Sequence, residues 1–154
     1  MNKRLLKREK YESYALNDHS NWQELDFFEF IARSPYDDSD PRKDTFYDGD
    51  LYCISINNLI CWDETTLTIK ILGPFWDRVF RAVFQEVTCL KFKEKRASSF
   101  AYIYSVKLKN CSKNKCKYKC TIRDFHKNKI LQFKFKNVVL LKAILKESIK
   151  REDF

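Results

Sequence analysis

From Asp50 onward, apolar residues recur at every second position in short runs, and the order of those runs repeats. Leu51-Tyr52-Cys53-Ile54-Ser55-Ile56 puts Tyr52, Ile54 and Ile56 on one face. Leu67-Thr68-Ile69-Lys70-Ile71 does the same with Leu67, Ile69 and Ile71, and Phe80, Ala82 and Phe84 continue the pattern. A period of two is the mark of a strand with one face in a core. The order returns at residues 103–108 with a shift of 52, then at 118–122 and 131–135 with a shift of 51. After the third run, Phe84-x-x-Val87-x-x-Leu90-Lys91 matches Phe135-x-x-Val138-x-x-Leu141-Lys142. Two readings stand: a duplicated three-stranded unit, or two independent meanders that align because both alternate.

The segments around these runs complete the expected fold. Residues 1–16 read as a short charged helix. Ser20-Asn21-Trp22-Gln23 has the S-x-x-Q form of a capping box and opens a second helix reaching Ile31. Pro35, Asp37, Asp38, Ser39, Asp40 and Pro41 then make an acidic loop. Near the C-terminus Leu141, Ile144, Leu145 and Ile149 recur at helical spacing. The chain is therefore expected to be one α+β domain over residues 1–154, mostly antiparallel β. Residues 1–44 form a helical and acidic N-terminal part, 45–92 a first β meander, 98–138 a second, and 139–151 a C-terminal helix. The shared core is expected from Tyr52, Ile54, Ile69, Phe84, Tyr104, Val106, Ile122, Phe133 and Phe135.

With 154 residues, 44% of them hydrophobic, the chain has material for one core, which argues against disorder. No apolar run approaches the ~20 residues a membrane span needs, and the charged first dozen residues do not read as a secretory signal. A cytoplasmic protein is expected, with Cys53, Cys61, Cys89, Cys111, Cys116 and Cys120 reduced. The spacing of Cys111, Cys116 and Cys120 is not that of a zinc site, and the acidic loop lacks the calcium-loop pattern, so neither metal nor cofactor is expected.

Catalytic motifs are missing from the sequence. The only glycines, Gly49 and Gly73, cannot build a phosphate cradle, and neither G-x-S-x-G nor H-E-x-x-H occurs. His19 is flanked by Asp18 and Ser20, but a triad needs neighbours in space rather than in sequence. The chain is expected to bind rather than to catalyse.

Charge is distributed unevenly along the chain. Residues 1–50 carry 8 Lys/Arg against 12 Asp/Glu, net −4, and residues 51–154 carry 22 against 9, net +13. Strand alternation concentrates the positive charge further. If Tyr104, Val106 and Leu108 face inward, then Lys107, Lys109, Lys119, Arg123, Lys134 and Lys136 share the outward face of the second meander. The matching positions of the first meander, Ser55, Asn57, Thr68, Leu72, Val83 and Gln85, are uncharged.

Thr45-Phe46-Tyr47-Asp48-Gly49-Asp50-Leu51, followed by Ile54 and Ile56, Leu67-Thr68-Ile69-Lys70-Ile71 and Phe84-x-x-Val87-x-x-Leu90, resembles the small immunity proteins of bacterial polymorphic-toxin systems. In that family a Phe-His-Asp-like element precedes a strand and a β meander follows. The likeness covers residues 45–92. Tyr47 stands where His is frequent, and the second meander lies outside the match. The resemblance implies a cytosolic protein without catalytic residues that binds and blocks one toxin, and it transfers no site residues. Two function classes follow: a protein-binding module, as an immunity protein would be, and a nucleic-acid-binding domain using the basic face. No membrane partner is expected.

Overall fold

The structure is a computed structural model. It describes residues 22–32, 45–47, 49–59, 64–74, 78–92, 101–111, 118–124 and 126–144. Among these the chain is mostly antiparallel β. In order, the elements are β1 (Gln23–Leu25), α1 (Phe27–Ala32), β2 (Asp50–Leu59), β3 (Glu64–Leu72), β4 (Arg78–Gln85), β5 (Thr88–Phe92), β6 (Ala101–Asn110), β7 (Tyr118–Asp124), β8 (Lys129–Phe135) and β9 (Asn137–Ile144). No helix among them is long and apolar enough to cross a membrane.

The strand order is β1-β9-β4-β3-β2-β6-β7-β8-β5. It comprises two sheets, whose described strand pairing is where Asp50 and Leu51 of β2 meet Tyr102 and Ala101 of β6. At the far side the sheets exchange strands. β4 pairs with β9, as at Phe84 opposite Val138, while β5 pairs with β8, as at Thr88 opposite Lys134. Glu86 and Val87 separate β4 from β5, and Lys136 alone separates β8 from β9. Residues 78–92 and 129–144 are thus two long bent strands paired along their length, and the sheets close around one interior. The bend is local: Glu86 and Cys89 take left-handed φ of 51° and 52°, and the Lys136 N–H donates to Gln85 O at 3.1 Å.

That interior is aromatic and draws on both sheets. Phe84 packs edge-on to Phe133 and Phe135, with centroids at 4.6 and 4.9 Å, and Phe27 of α1 lies 5.5 Å from Phe84 and 6.2 Å from Phe135. Phe30 adds contacts to Phe46 and Phe80. Full burial of one such ring stabilises by about 1.5–3 kcal/mol, so α1 is held by its phenylalanines rather than by its six-residue length. Gly49 sits where the chain enters β2. Its N–H donates to Phe46 O, and a Cβ there would stand 2.7 Å from Leu72 O, so no side chain fits.

Three expectations are corrected. The helix expected from Ser20 to Ile31 is divided: residues 23–25 form β1, and α1 begins only at Phe27. Its cap is Asp26, six residues after Ser20, whose Oδ1 accepts from the Glu29 N–H at 3.0 Å in a D-x-x-E sequence. The helix expected over 139–151 is strand in its described part, because β9 lies between β1 and β4 and its main chain pairs on both edges. The remainder, residues 145–151, lies outside the described residues, as do the helix at 1–16 and the acidic loop.

The third correction concerns the core. Ile69, Phe84, Val106, Ile122, Phe133 and Phe135 are buried, and so is Tyr52, but Ile54 and Tyr104 are 37% and 41% exposed. Ile54 stands opposite the buried Ile69, and Ile56 opposite Leu67, so both have the inward face. Among the described residues β2 pairs with β6 at Asp50 and Leu51, so beside Ile54 and Ile56 no described strand lies on that edge. Tyr104 is displaced for another reason. The register of β6 against β7 skips between Ile103 and Ser105, leaving Tyr104 in a bulge, and β2 skips at Tyr52, the matching residue. A bulge resets the alternation on which an inward Tyr104 depended.

A candidate basic binding face

β6, β7 and β8 are adjacent and antiparallel, so residues opposite one another share a face with Cβ atoms about 4.5–5.5 Å apart. Lys109 stands opposite Lys119, and Lys119 opposite Lys134. Three lysines therefore form one row across three strands, ending at Thr88 on β5. Beside it runs a second row, Lys107, Thr121, Gln132 and Lys91, in which Gln132 Nε2 donates to Thr121 Oγ1 at 3.2 Å. A third sets Arg123 opposite Ser105 on one side and Lys129 on the other. The inward neighbours Cys120, Ile122, Phe133 and Phe135 are buried, which directs these rows outward.

Of the six expected site residues, the fold brings Lys107, Lys109, Lys119 and Lys134 onto this surface. Arg123 joins it at one end, with its Nη1 donating to Lys127 O at 3.1 Å, so the guanidinium is partly committed to the β7–β8 turn. Lys136 does not belong. It sits at the bend between β8 and β9 with Nζ 3.6 Å from Glu86 Oε2. Two cations escaped the sequence reading, Lys91 and Lys129. Lys129 was legible as the first residue after a turn. Lys91 was not, because its place beside Gln132 depends on β5 crossing to the other sheet.

The β7–β8 turn is built around Asp124. Its Oδ1 accepts from the N–H groups of His126 and Asn128 at 3.0 Å each, while Lys127 takes a φ of 63°. That geometry places Lys127 Nζ 5.9 Å from the ring centroid of Tyr104. The matching positions of the other half hold no charge: where Lys119 faces Lys134, Thr68 faces Val83.

Opposed like charges cost stability, on a scale of about 0.2–1 kcal/mol for a cross-strand pair. Lysines commonly protect open strand edges from aggregation. Lys119 and Lys134, however, lie on β7 and β8, each flanked by paired strands on both sides. The edge-protecting role does not account for them, whereas an anion spanning the row would offset their repulsion.

Burial pushes the Cys120 thiol up, so it stays protonated and packs as a small apolar residue. Among the described residues no three His, Cys, Asp or Glu side chains gather as metal ligands would. Comparison with family models, with curated proteins and with solved structures finds no match for this chain.

Proposed function

We propose that the protein is a cytosolic binding module that acts by stoichiometric association, without turnover, on one protein partner carrying an acidic surface, as an immunity protein neutralising a toxin would. The observation that carries this reading is the row Lys109–Lys119–Lys134, a self-repelling arrangement in which Lys119 and Lys134 lie on strands paired on both sides, and which an acidic partner relieves. The proposal includes a finer reading of the fold, in which residues 45–92 and 98–138 are two tandem meanders of one repeated unit. The reciprocal exchange supports it, since β4 pairs with β9 as β8 pairs with β5, and so do the two bulges at Tyr52 and Tyr104.

The test is affinity capture from the native cell with the unaltered protein and with Lys119→Glu/Lys134→Glu, followed by mass spectrometry. A partner held in equimolar amount by the first and lost by the second is the expected result. The same partner captured equally by both overturns the reading.

A second reading, binding of nucleic-acid phosphates, is favoured by one observation: Tyr104 stands exposed beside Lys127, near the end of the basic face where Arg123 and Lys129 lie. An aromatic ring next to cations is what single-strand binders use. Titration of duplex and single-stranded oligonucleotides at about 50 and 200 mM salt separates the two, because phosphate contacts weaken steeply over that range.

A further inference from the structure

The two outermost paired edges of the sheet are covered unequally. On β9 the outer edge is filled by β1, with Gln23 opposite Lys142, Glu24 opposite Leu141 and Leu25 opposite Leu140. Under the 51-residue correspondence those three β9 positions are Lys91, Leu90 and Cys89 of β5. Among the described residues β5 is the terminal strand of the sheet, and the strand hydrogen-bonded to it is β8. The consequence shows in exposure. Beside β1, the inward Leu140 is 0% exposed, whereas its counterpart Cys89 on β5 is exposed. Phe92 is the plainest case, because it stands opposite Leu131, a fully buried inward residue, yet is itself 49% exposed.

The surroundings of β5 specify what could cover it. An extended backbone would pair with its open edge, the geometry of strand addition. An apolar side chain on the inward side would cover Phe92. On the outward side the neighbours are Lys91 itself and Lys134, which lies opposite Thr88, so carboxylates fit there. The segment on β9 has this composition: Gln23-Glu24-Leu25-Asp26-Phe27 carries two acids and two apolar residues.

We propose that β5 receives an extended acidic segment of the protein partner as an added strand, as β9 receives β1. This deepens the protein-binding reading and rests on it. The bulge at Cys89 restricts the usable edge to residues 90–92, since the register slips between Thr88 and Lys91. Three residues are also the length that β1 pairs on β9.

The probe is a synthetic peptide with the sequence of residues 22–29, added to the full chain at ~50 mM salt, where charge contacts are least screened. Amide hydrogen exchange is expected to slow at residues 90–92 and to stay unchanged over β9. Lys91→Glu in the protein is expected to weaken binding by about tenfold, a 1.4 kcal/mol effect. A peptide carrying Leu25→Pro, which cannot extend a ladder, should give no protection. No slowing at β5 with peptide at about 1 mM, the weakest affinity that would count as recognition, overturns the proposal, and so does slowing confined to β9. Failure here, with partner capture still lost in Lys119→Glu/Lys134→Glu, removes the added strand and leaves the protein-binding reading standing.

Discussion

Lys119 on β7 stands directly opposite Lys134 on β8, at the positions where the other half of the protein sets Thr68 opposite Val83. The two pairs occupy the same place in the strand order of their halves. One half spends that place on an uncharged pair, and the other holds two like charges a strand's width apart.

Replacing both lysines with threonine is therefore expected to stabilise the fold while weakening its interactions. The gain should be about 0.2–1 kcal/mol at low ionic strength and should shrink as salt screens the repulsion it removes. Urea unfolding at ~20 mM and ~500 mM salt checks both. A loss of stability at low salt would mean that the row is structural.

Lys136 makes the control. Its pair with Glu86 is at the surface, with side-chain exposures of 42% and 37%, so Lys136→Ala should change stability by less than about 1 kcal/mol. Because Lys136 lies at the bend and not in the row, partner capture should survive it. Lys134→Ala should reduce capture. Equal reductions by the two variants would reassign the face to bulk charge.

Phe84→Ala should be severe. The ring touches Phe27, Phe133 and Phe135, so it joins α1 to both sheets. Truncation of a buried phenylalanine costs about 3–5 kcal/mol, a large share of the ~5–15 kcal/mol that holds a typical domain. Denaturant unfolding should show a single transition at a lower midpoint, with fluorescence and circular dichroism in agreement.

Cys120 gives a pH dependence with a definite sign. Burial raises its thiol, so the folded protein keeps the proton after the unfolded chain begins to lose it near pH 8.5, the ordinary cysteine value. The contribution is whole below about pH 8.5 and declines as pH rises, by up to about 1.4 kcal/mol per unit. Comparing the slope of stability between pH 8 and 10 in the native chain and in Cys120→Ala isolates it, because the other titrating groups are common to both. Alkylation under native conditions should modify the exposed Cys89 long before Cys120.

The alternation of residues 67–71 and 131–135 was sufficient to name strands and their inward sides, because the side-chain period is a local property of extended backbone. It identified Ile69, Phe133 and Phe135 as core and Lys119 and Lys134 as outward. It failed where the period was interrupted or ambiguous. A bulge at Tyr104 adds one residue without any mark in composition. Leu141 and Ile144 fit a helical stripe as well as a strand, and the flanking β1 and β4 decide between them.

The sequence by itself determined that this chain makes antiparallel strands with an aromatic side and, in the second half, a lysine-rich side. Tertiary structure alone decided that Lys109, Lys119 and Lys134 stand in a single row, that Lys136 is drawn off to Glu86, and that Lys91 arrives beside Gln132 from a strand more than forty residues earlier in the chain. The physical reason is that side-chain direction follows from each residue's own backbone. A cross-strand neighbour, by contrast, is set by register and by the exchange of β5 and β9 between sheets, and those depend on how Phe27, Phe84, Phe133 and Phe135 fill one shared interior.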